Sequence, residues 1–260
     1  MILTKPSIDP VIFSLGFVDI RWYSLAYVAA FILGVYLIKK LNHNIENNID
    51  NKIIDNFFVW SIIGVILGGR IGYVLFYQFE IFLSNPLYIF FIWRGGMSFH
   101  GGLLGMVVSL YFFSNKNNIK FYALADLICL AAPIGLFFGR IANFINTELI
   151  GRPTDFFISV IYPSIDNLSR HPSQLYEAFL EGILLFIILM IFIYNKKIKN
   201  GFCSSLFLIL YGTFRIFCEQ FREPDEQIGY LFNLFSLGTV LSFIMIVAGI
   251  IVLTKIKSNE

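Results

Sequence analysis

Apolar residues run in long, almost uninterrupted segments along most of this chain, and short polar stretches separate them. Each segment approaches the length of about 20 residues that an α-helix needs to cross the hydrocarbon layer of a membrane. The pattern therefore predicts an all-α integral membrane protein with seven transmembrane helices, forming a single polytopic domain over residues 1–260. The predicted helices cover about residues 22–38, 54–76, 87–113, 121–141, 173–194, 202–217 and 229–253.

The lysines fall almost entirely on one side of the membrane in this scheme. Positively charged loops face the cytoplasm, so the pattern predicts an outside N-terminus and a cytoplasmic C-terminus. The longest loop on the outer side, about residues 143–172, is polar and predicts a small outer cap. Residues 1–20 are too short to span and are expected at the outer interface. The lysines assigned to the cytoplasmic side are Lys39, Lys40, Lys52, Lys116, Lys120, Lys196, Lys197, Lys199, Lys255 and Lys257.

The composition agrees with this class, because 57% of the 260 residues are hydrophobic and only 14% are charged. A soluble domain of this length could not bury so much apolar surface. The net charge is only +2, and no basic run is interleaved with aromatic residues, so no nucleic-acid partner is expected. No histidine or cysteine pair has the spacing of metal ligands. Neither a metal site nor an organic cofactor is predicted.

The arginines lie on the side opposite to the lysines. Guanidinium presents a fixed fork of donors that matches a phosphate or a carboxylate. Snorkelling to the interface is the alternative for any single arginine, whereas the whole set favours a site that binds a phosphate-bearing lipid. The arginines in the outer half or the outer loops are Arg21, Arg94, Arg140, Arg152, Arg170, Arg215 and Arg222.

The densest group of polar residues follows the fourth predicted helix, in the segment GRIANFINTELIGRPTD over residues 139–155. If that helix continues outward, Arg140, Asn143, Thr147 and Glu148 share one face. A guanidinium beside an amide and a carboxylate is suited to hold a phosphate. The alternative is a buried Arg–Glu pair that only fixes the outer loop.

The sixth predicted helix carries a second polar stripe, formed by Tyr211, Arg215, Glu219 and Arg222. Pro224 is expected to end this helix, because a proline disfavours helical geometry at the residue before it. An interhelical tie through an Arg215–Glu219 pair is the alternative to a substrate site. A further stripe, expected to hydrogen-bond neighbouring helices, comprises Gln174, Glu177 and Glu181.

Glycines shape the second and third predicted helices. The segment RGGMSFHGGLLG contains His100, the histidine that falls within a predicted span, and its glycines permit a ligand or another backbone to approach. A catalytic role for His100 competes with that of a hydrogen-bonded core residue. In the second helix Gly64, Gly68 and Gly72 recur every four residues, which predicts close helix–helix contact. Arg70 could meet a headgroup or snorkel outward, and its role stays open.

These segments occur in an order that resembles the bacterial prolipoprotein diacylglyceryl transferase family. The resemblance rests on IRWYSLAY, GGRIGYVLFY, RGGMSFHGG, GRIANFIN with ELIGRPTD, RHPSQLYE and YGTFRIFCEQFREPD. Ala142 and Gln220 depart from it, since glycine and an aromatic residue are expected there. The residues that match the family's functional positions are Tyr23, His100, Arg140, Asn143, Glu148, Gly151, Tyr211, Arg215, Glu219 and Arg222.

The resemblance implies transfer of the diacylglyceryl group of phosphatidylglycerol to the lipobox cysteine of preprolipoprotein signal peptides, with release of glycerol phosphate. It also implies a multi-pass protein of the bacterial cytoplasmic (inner) membrane whose active site faces outward. His100, Arg140 and Arg215 are then the expected catalytic residues. The expected substrate-binding residues are Tyr23, Asn143, Glu148, Gly151, Tyr211, Glu219 and Arg222.

Three other readings compete with this one. A transporter or channel could place arginines in the membrane, but would more often show internal repeats and interrupted helices. A scaffold protein would explain the glycine stripes and leave the arginines unexplained. A different phospholipid-modifying enzyme could use the same headgroup site with another acceptor.

Overall fold

The computed structural model describes residues 2–15, 18–46, 48–194, 197–223, 230–231 and 235–258, and most of these residues are helical. Within these ranges, six helices are long and apolar enough to cross a membrane, and α4 is the long helix there that does not meet this description. The structure thus agrees with the class of helical membrane proteins. The helices are α1 (Trp22–Leu41), α2 (Asn51–Tyr77), the short α3 (Phe79–Ser84), α4 (Phe99–Lys116), α5 (Phe121–Asn146), α6 (Ser173–Ile193), α7 (Phe202–Glu219) and α8 (Leu237–Ser258).

The third predicted helix differs in its start. The prediction placed it at residues 87–113, but residues 86–94 form short 3-10 turns and α4 begins at Phe99. Gly95 and Gly96 have φ angles of +75° and +81°, a conformation that glycine adopts readily and that no α-helix contains. Ser98 then caps α4 by accepting a hydrogen bond of 3.2 Å from the backbone N–H of Gly101.

The last predicted helix also starts later. Helix α8 begins at Leu237 rather than at residue 229. Residues 224–229 and 232–234 lie outside the described residues, and the predicted helix stop at Pro224 falls among them. Lys196, between α6 and α7, also lies outside the described residues. Helix α7 itself ends at Glu219.

Short strands occur where a purely helical fold was predicted. Strands β1 (Ile2–Thr4), β4 (Ser159–Ile161) and β5 (Ser169–Arg170) form a sheet, with β1 parallel and β5 antiparallel to β4. Two of the three belong to the predicted cap loop. Two hairpins complete the strands, β2 (Val11–Leu15) with β3 (Val18–Arg21) and β6 (Tyr230–Leu231) with β7 (Phe235–Ser236).

The chain divides into two compact units, one over Asn47–Ala125 and the other over Met1–Glu46 with Asp126–Glu260. The expectation of a single domain stays a prediction. In the first unit, α2 packs on α4 through glycines of both helices. A Cβ at Gly68 would press on the Gly101 carbonyl oxygen and lie 2.8 Å from the Gly105 Cα. The predicted close helix contact is thereby confirmed.

Replacing Gly68 by alanine is expected to lower the free energy of unfolding by about 1–3 kcal/mol, because the added methyl group has a rigid backbone against it. Gly102 on α4 is the matched control, since a Cβ there would meet Val65 at an ordinary 3.5 Å. Thermal unfolding of both alanine variants in detergent compares the two positions. Equal melting temperatures would contradict the importance of this contact.

Arg70 has a structural role within the same unit. Its side chain is buried, with 2% exposed, and donates to the backbone carbonyls of Tyr88 (2.8 Å), Ile89 (3.2 Å), Gly95 (2.5 Å) and Gly96 (3.4 Å). The Tyr88 ring lies 4.8 Å from the guanidinium carbon. Arg70 therefore holds the turns that lead into α4 and does not snorkel outward.

In the second unit, Asp126 near the start of α5 fixes the beginning of α7. Its buried carboxylate accepts hydrogen bonds from the Gly201 N–H (2.6 Å), the Ser204 N–H (2.7 Å) and the Ser204 hydroxyl (2.5 Å). An acidic side chain at this place satisfies backbone donors that a helix start leaves without partners. The contact ties α5 to α7 at one end, and the charged residues described next lie toward the other.

Candidate functional site

A buried group of ion pairs joins α5, α6 and α7. Arg140 of α5 lies 2.8 Å from Glu177 through Nε and donates from Nη2 to Glu181 at 3.1 Å. Arg215 of α7 donates to Glu177 at 2.8 Å and lies 3.7 Å from Glu181. Both glutamates are fully buried, at 0% exposed. Two arginines from different helices thus share two carboxylates of α6.

The local geometry of α6 presents these two carboxylates together. Residues Ala178–Leu184 form a π-helical segment within the α-helix. Such segments are rare and occur often at functional sites. Glu177 directly precedes this segment and Glu181 lies within it. Gly182 permits the approach of α5, since a Cβ there would lie 2.7 Å from that of Phe137.

The C-terminal end of α7 extends the group. Glu219 accepts hydrogen bonds from Arg215, four residues earlier, and from the Ser236 hydroxyl at 2.8 Å. Arg222 lies beyond the helix end, and its Nη1 is 4.0 Å from Glu177. Arg215, Glu219 and Arg222 of the predicted stripe therefore lie in one group of contacts, although Arg222 belongs to the segment after the helix. The predicted Arg215–Glu219 pair forms within α7, and the contact of Arg215 that joins two helices is the one to Glu177 of α6. We call Arg140, Glu177, Glu181, Arg215, Glu219 and Arg222 the buried ion cluster.

The prediction that α5 continues outward through Glu148 is wrong. The helix ends at Asn146, and Thr147 and Leu149 have φ angles of +60° and +55°, which turn the chain back. Glu148 still reaches Asn143, whose amide donates to it at 2.9 Å. The predicted amide–carboxylate pair exists, but the carboxylates that contact Arg140 come from α6. A fold-back of this kind has no periodic signal in the sequence.

Gly151 lies in a segment held on both sides by backbone hydrogen bonds. Arg152 donates its N–H to the Phe221 carbonyl at 2.9 Å and accepts at its own carbonyl from the His171 N–H at 3.0 Å. A Cβ at Gly151 would collide with the His171 carbonyl oxygen. The close backbone approach explains why glycine is required here. Backbone hydrogen bonds thus connect residues 150–152 to the residues that follow α7.

Arg170 strengthens the same region from the cap loop. It donates to Asp166 at 2.6 Å, to Glu223 at 2.6 Å and to the Gly151 carbonyl at 3.0 Å. The hydrogen bonds from Arg170 lower the pKa of the Asp166 carboxyl. Partial burial lowers the pKa of the neighbouring His171. Burial raises the pKa of Tyr162 to about 12, and its hydroxyl donates to Gln174 at 3.0 Å.

The other predicted site residues take different places. Tyr23 of α1 has its ring centroid 5.1 Å from that of Tyr27. Tyr211 of α7 stacks on Phe207 at 5.6 Å. His100 belongs to the other compact unit, where it is exposed in the first turn of α4. The roles of all three residues stay predictions.

Sequence reasoning did not include Glu177 and Glu181 among the site residues. The signal was present, because Gln174, Glu177 and Glu181 form a polar stripe in an otherwise apolar helix. The predicted hydrogen bonding of that stripe is confirmed by the two ion-paired glutamates and by Gln174, which donates to the Glu148 carbonyl at 2.7 Å. Intramembrane carboxylates are a sign of function by default.

An apolar cavity of about 360 Å³ lies beside α6 and α7. Aromatic side chains line most of it, so it suits hydrocarbon rather than a charged group. The lining residues are Phe156, His171, Tyr176, Phe179, Leu180, Phe217 and Phe221.

The buried ion cluster combines guanidinium donors with carboxylates that balance their charge. Three arginines face three glutamates, so its formal charge is zero. Arg140 uses Nε and Nη2 in the carboxylate contacts, and its Nη1 takes part in none of those described above. A phosphate can therefore be held by guanidinium donors that are already oriented by carboxylates.

Comparison with known proteins assigns the chain to a family. The sequence model described as prolipoprotein diacylglyceryl transferase matches residues 10–255. The phosphatidylglycerol–prolipoprotein diacylglyceryl transferase of Rickettsia bellii is 45% identical over 260 residues, 99% of either chain. Its counterparts in Pseudoalteromonas atlantica and Azospirillum brasilense are 51% and 48% identical, covering 95% and 94% of this chain and 89% and 93% of theirs. The chain belongs to the prolipoprotein diacylglyceryl transferase family.

Proposed function

We propose that this protein transfers the diacylglyceryl group of phosphatidylglycerol to the lipobox cysteine thiol of preprolipoproteins. The observation that carries the proposal is the buried ion cluster on α5, α6 and α7 of a chain that belongs to this family. Its arginines offer oriented donors to the phosphodiester that such a reaction must bind and release. Relatives 45–51% identical carry the name of this activity.

The reaction forms one bond and breaks one. The cysteine sulfur attacks the glycerol carbon that bears the phosphodiester, and the bond from that carbon to the phosphate oxygen breaks. The products are a thioether and glycerol phosphate, and the thiol proton leaves with a base. Arg140 and Arg215 neutralise the charge that develops on the leaving phosphate, and Asn143 orients it. Tyr23, Glu148, Gly151, Tyr211, Glu219 and Arg222 complete the proposed binding site.

Ionisation of the acceptor thiol requires a general base. A free cysteine has a pKa of about 8.5 and is mostly protonated at neutral pH, whereas the thiolate is the nucleophile. The proposed base is His100, which is exposed at the start of α4, or a nearby carboxylate. The apolar cavity beside α6 and α7 is proposed to accept hydrocarbon of the substrates.

The proposal includes the topology. In this topology α4 spans the membrane in addition to the six long apolar helices, which gives seven spans. The N-terminus then lies outside and the C-terminus lies in the cytoplasm of a bacterium. The site then faces the outer side of the cytoplasmic membrane. Segregation of the lysines to the opposite side supports this orientation.

Purified protein, phosphatidylglycerol and a synthetic lipobox peptide test the activity by mass spectrometry. The expected result is a peptide that gains one diacylglyceryl unit through sulfur, with an equal amount of glycerol phosphate released. A peptide with serine in place of the cysteine is the control and should stay unmodified. Folded protein that forms no adduct would contradict the proposal. Near-normal turnover of a His100→Gln variant would exclude His100 as an obligatory base.

A further inference from the structure

Two carboxylate oxygens of the buried ion cluster have no hydrogen-bond partner among the described residues, Oε2 of Glu177 and Oε1 of Glu181. Oε2 of Glu177 lies 2.8 Å from Arg140 Nε, whereas the ion pair at Oε1 of Glu181 is longer, at 3.7 Å. The Glu181 side chain is fully buried, at 0% exposed. Its other oxygen, Oε2, accepts a hydrogen bond from Arg140 at 3.1 Å, while Arg215 lies 3.7 Å from Oε1. A negative charge on Glu181 would therefore be compensated by one hydrogen-bonded arginine and one more distant arginine in a buried place.

The other two glutamates of the cluster are better compensated. Glu177 accepts from Arg215 at 2.8 Å through Oε1, and Arg222 lies 4.0 Å from the same atom. Its Oε2 is 2.8 Å from Arg140 Nε, an ion pair without hydrogen-bond alignment. Glu219 accepts from Arg215 and from a serine hydroxyl. Glu181 is therefore the carboxylate of the three that a proton neutralises most readily.

Binding of a lipid phosphate creates a need for that proton. The cluster has three arginines and three glutamates, so a phosphodiester adds an unbalanced negative charge to a buried site. A titratable group in such a site binds a proton rather than leave the charge unpaired. A phosphate oxygen also competes with Glu181 for the Arg140 Nη2 donor, which loosens the one hydrogen bond that favours the ionised carboxylate.

We infer that Glu181 is a positioning residue that takes up one proton when the phosphodiester of phosphatidylglycerol binds to Arg140 and Arg215. The inference rests on the proposed function and extends it. Protonated Glu181 leaves the Arg140 donors to the phosphate and keeps the occupied site neutral. The same carboxyl regains its charge and its arginine when the lipid leaves.

The groups around Glu181 leave it as the proton acceptor. Arginine stays protonated, tyrosine and cysteine are neutral at physiological pH, and Glu177 has three guanidiniums within 4.0 Å, one more than Glu181. The charged and titratable groups that face Glu181 are Arg140 of α5, Glu177 of α6, and Tyr211, Arg215 and Cys218 of α7.

Isothermal titration calorimetry tests the inference on the purified full chain in detergent. Dioctanoyl-phosphatidylglycerol is titrated at one pH in buffers of different ionisation enthalpy, which counts the protons bound with the lipid. The wild-type protein is expected to take up about one proton, and Glu181→Gln none, because the amide imitates the protonated carboxyl. The wild-type Kd should rise about tenfold per pH unit where free Glu181 is ionised, while that of Glu181→Gln stays constant.

His43→Gln is the control, because histidine also binds protons near neutral pH and His43 is exposed in the 3-10 turn that follows α1, outside the buried ion cluster. This variant should keep the wild-type proton uptake. Lipid binding without proton uptake by the wild-type protein would overturn the inference, as would uptake that persists in Glu181→Gln. If Glu181→Gln does not fold, the wild-type proton count still decides. Diacylglyceryl transfer without proton uptake would contradict this inference alone, whereas folded protein that binds no phosphatidylglycerol would contradict the proposed function as well.

Discussion

Replacing Arg140 by lysine is expected to lower kcat/KM for diacylglyceryl transfer by about a hundredfold or more. Arg140 contacts Glu177 and Glu181 through two different nitrogens, so the carboxylates fix the plane of the guanidinium. An ammonium group is a point charge and cannot hold both carboxylates and a phosphate in one plane. The positive charge is kept, so the loss should fall on the reaction more than on folding.

The measurement compares the transfer kinetics of Arg140→Lys and Arg21→Lys with those of the wild-type protein. Arg21 is the matched control, because its side chain is 58% exposed and lies 3.6 Å from Asp19 at the surface. That exchange should leave transfer nearly unchanged. Thermal unfolding of both variants separates loss of catalysis from loss of fold. Undiminished turnover of folded Arg140→Lys would contradict the phosphate-binding role.

Much of the helical framework could be predicted from the sequence, because membrane-spanning length is set by the bilayer and leaves a long apolar signal. The residues at which α4 and α8 begin could not be predicted in this way. At α4, Gly95 and Gly96 adopt left-handed conformations that end any helix before Phe99. Glycine in an apolar segment is equally common in close helix packing, as at Gly68, so composition does not tell the two uses apart.

The strands could not be predicted from the sequence either. Strand β1 pairs with β4, more than 150 residues later in the chain. Each strand has only a few residues, too short for a pattern of alternating polar and apolar positions. The sequence indicated the polar cap loop but not the strand that pairs with it. That pairing depends on the packing of the helices, which brings β1 at the start of the chain next to β4.

Four residues of the buried ion cluster were singled out from the sequence, whereas most of their contacts were not. Arg140, Asn143, Arg215 and Glu219 were selected because charges are costly in a membrane, and the structure places them on one group of helices. Helical spacing then assigned Glu148 to Arg140, whereas its partners are Glu177 and Glu181. Spacing along one helix describes neighbours within that helix only. The partners come from α6, and the packing of three helices decides them.

The same arginines can therefore fix the helices and bind the lipid. Both alternatives for Arg215, an ion pair and a substrate site, fit its geometry, since it contacts Glu177 and Glu219. A buried ion pair adds little to stability compared with apolar packing. What it does provide is orientation of the donors before substrate arrives, which is the condition for electrostatic catalysis.

Glu177→Gln is expected to lower the free energy of unfolding by about 3 kcal/mol or more and to abolish most of the transfer activity. The side chain is 0% exposed and lies against Arg140, Arg215 and Arg222. The amide keeps the shape but removes the negative charge shared by these arginines. Uncompensated guanidiniums then remain in a place from which water is excluded.

Glu181→Gln is the matched comparison, because this glutamate is equally buried and lies four residues further along α6. It has one hydrogen-bonded arginine, so its loss of stability should be smaller, and the variant should still bind phosphatidylglycerol. Unfolding of both variants in detergent, followed by circular dichroism, measures the difference. Equal stability of the two would show that the cluster does not depend more on the Glu177 carboxylate than on that of Glu181. A larger loss in Glu177→Gln identifies that carboxylate as the group that sets the arginines in place, and lipid binding would depend on it for the same reason.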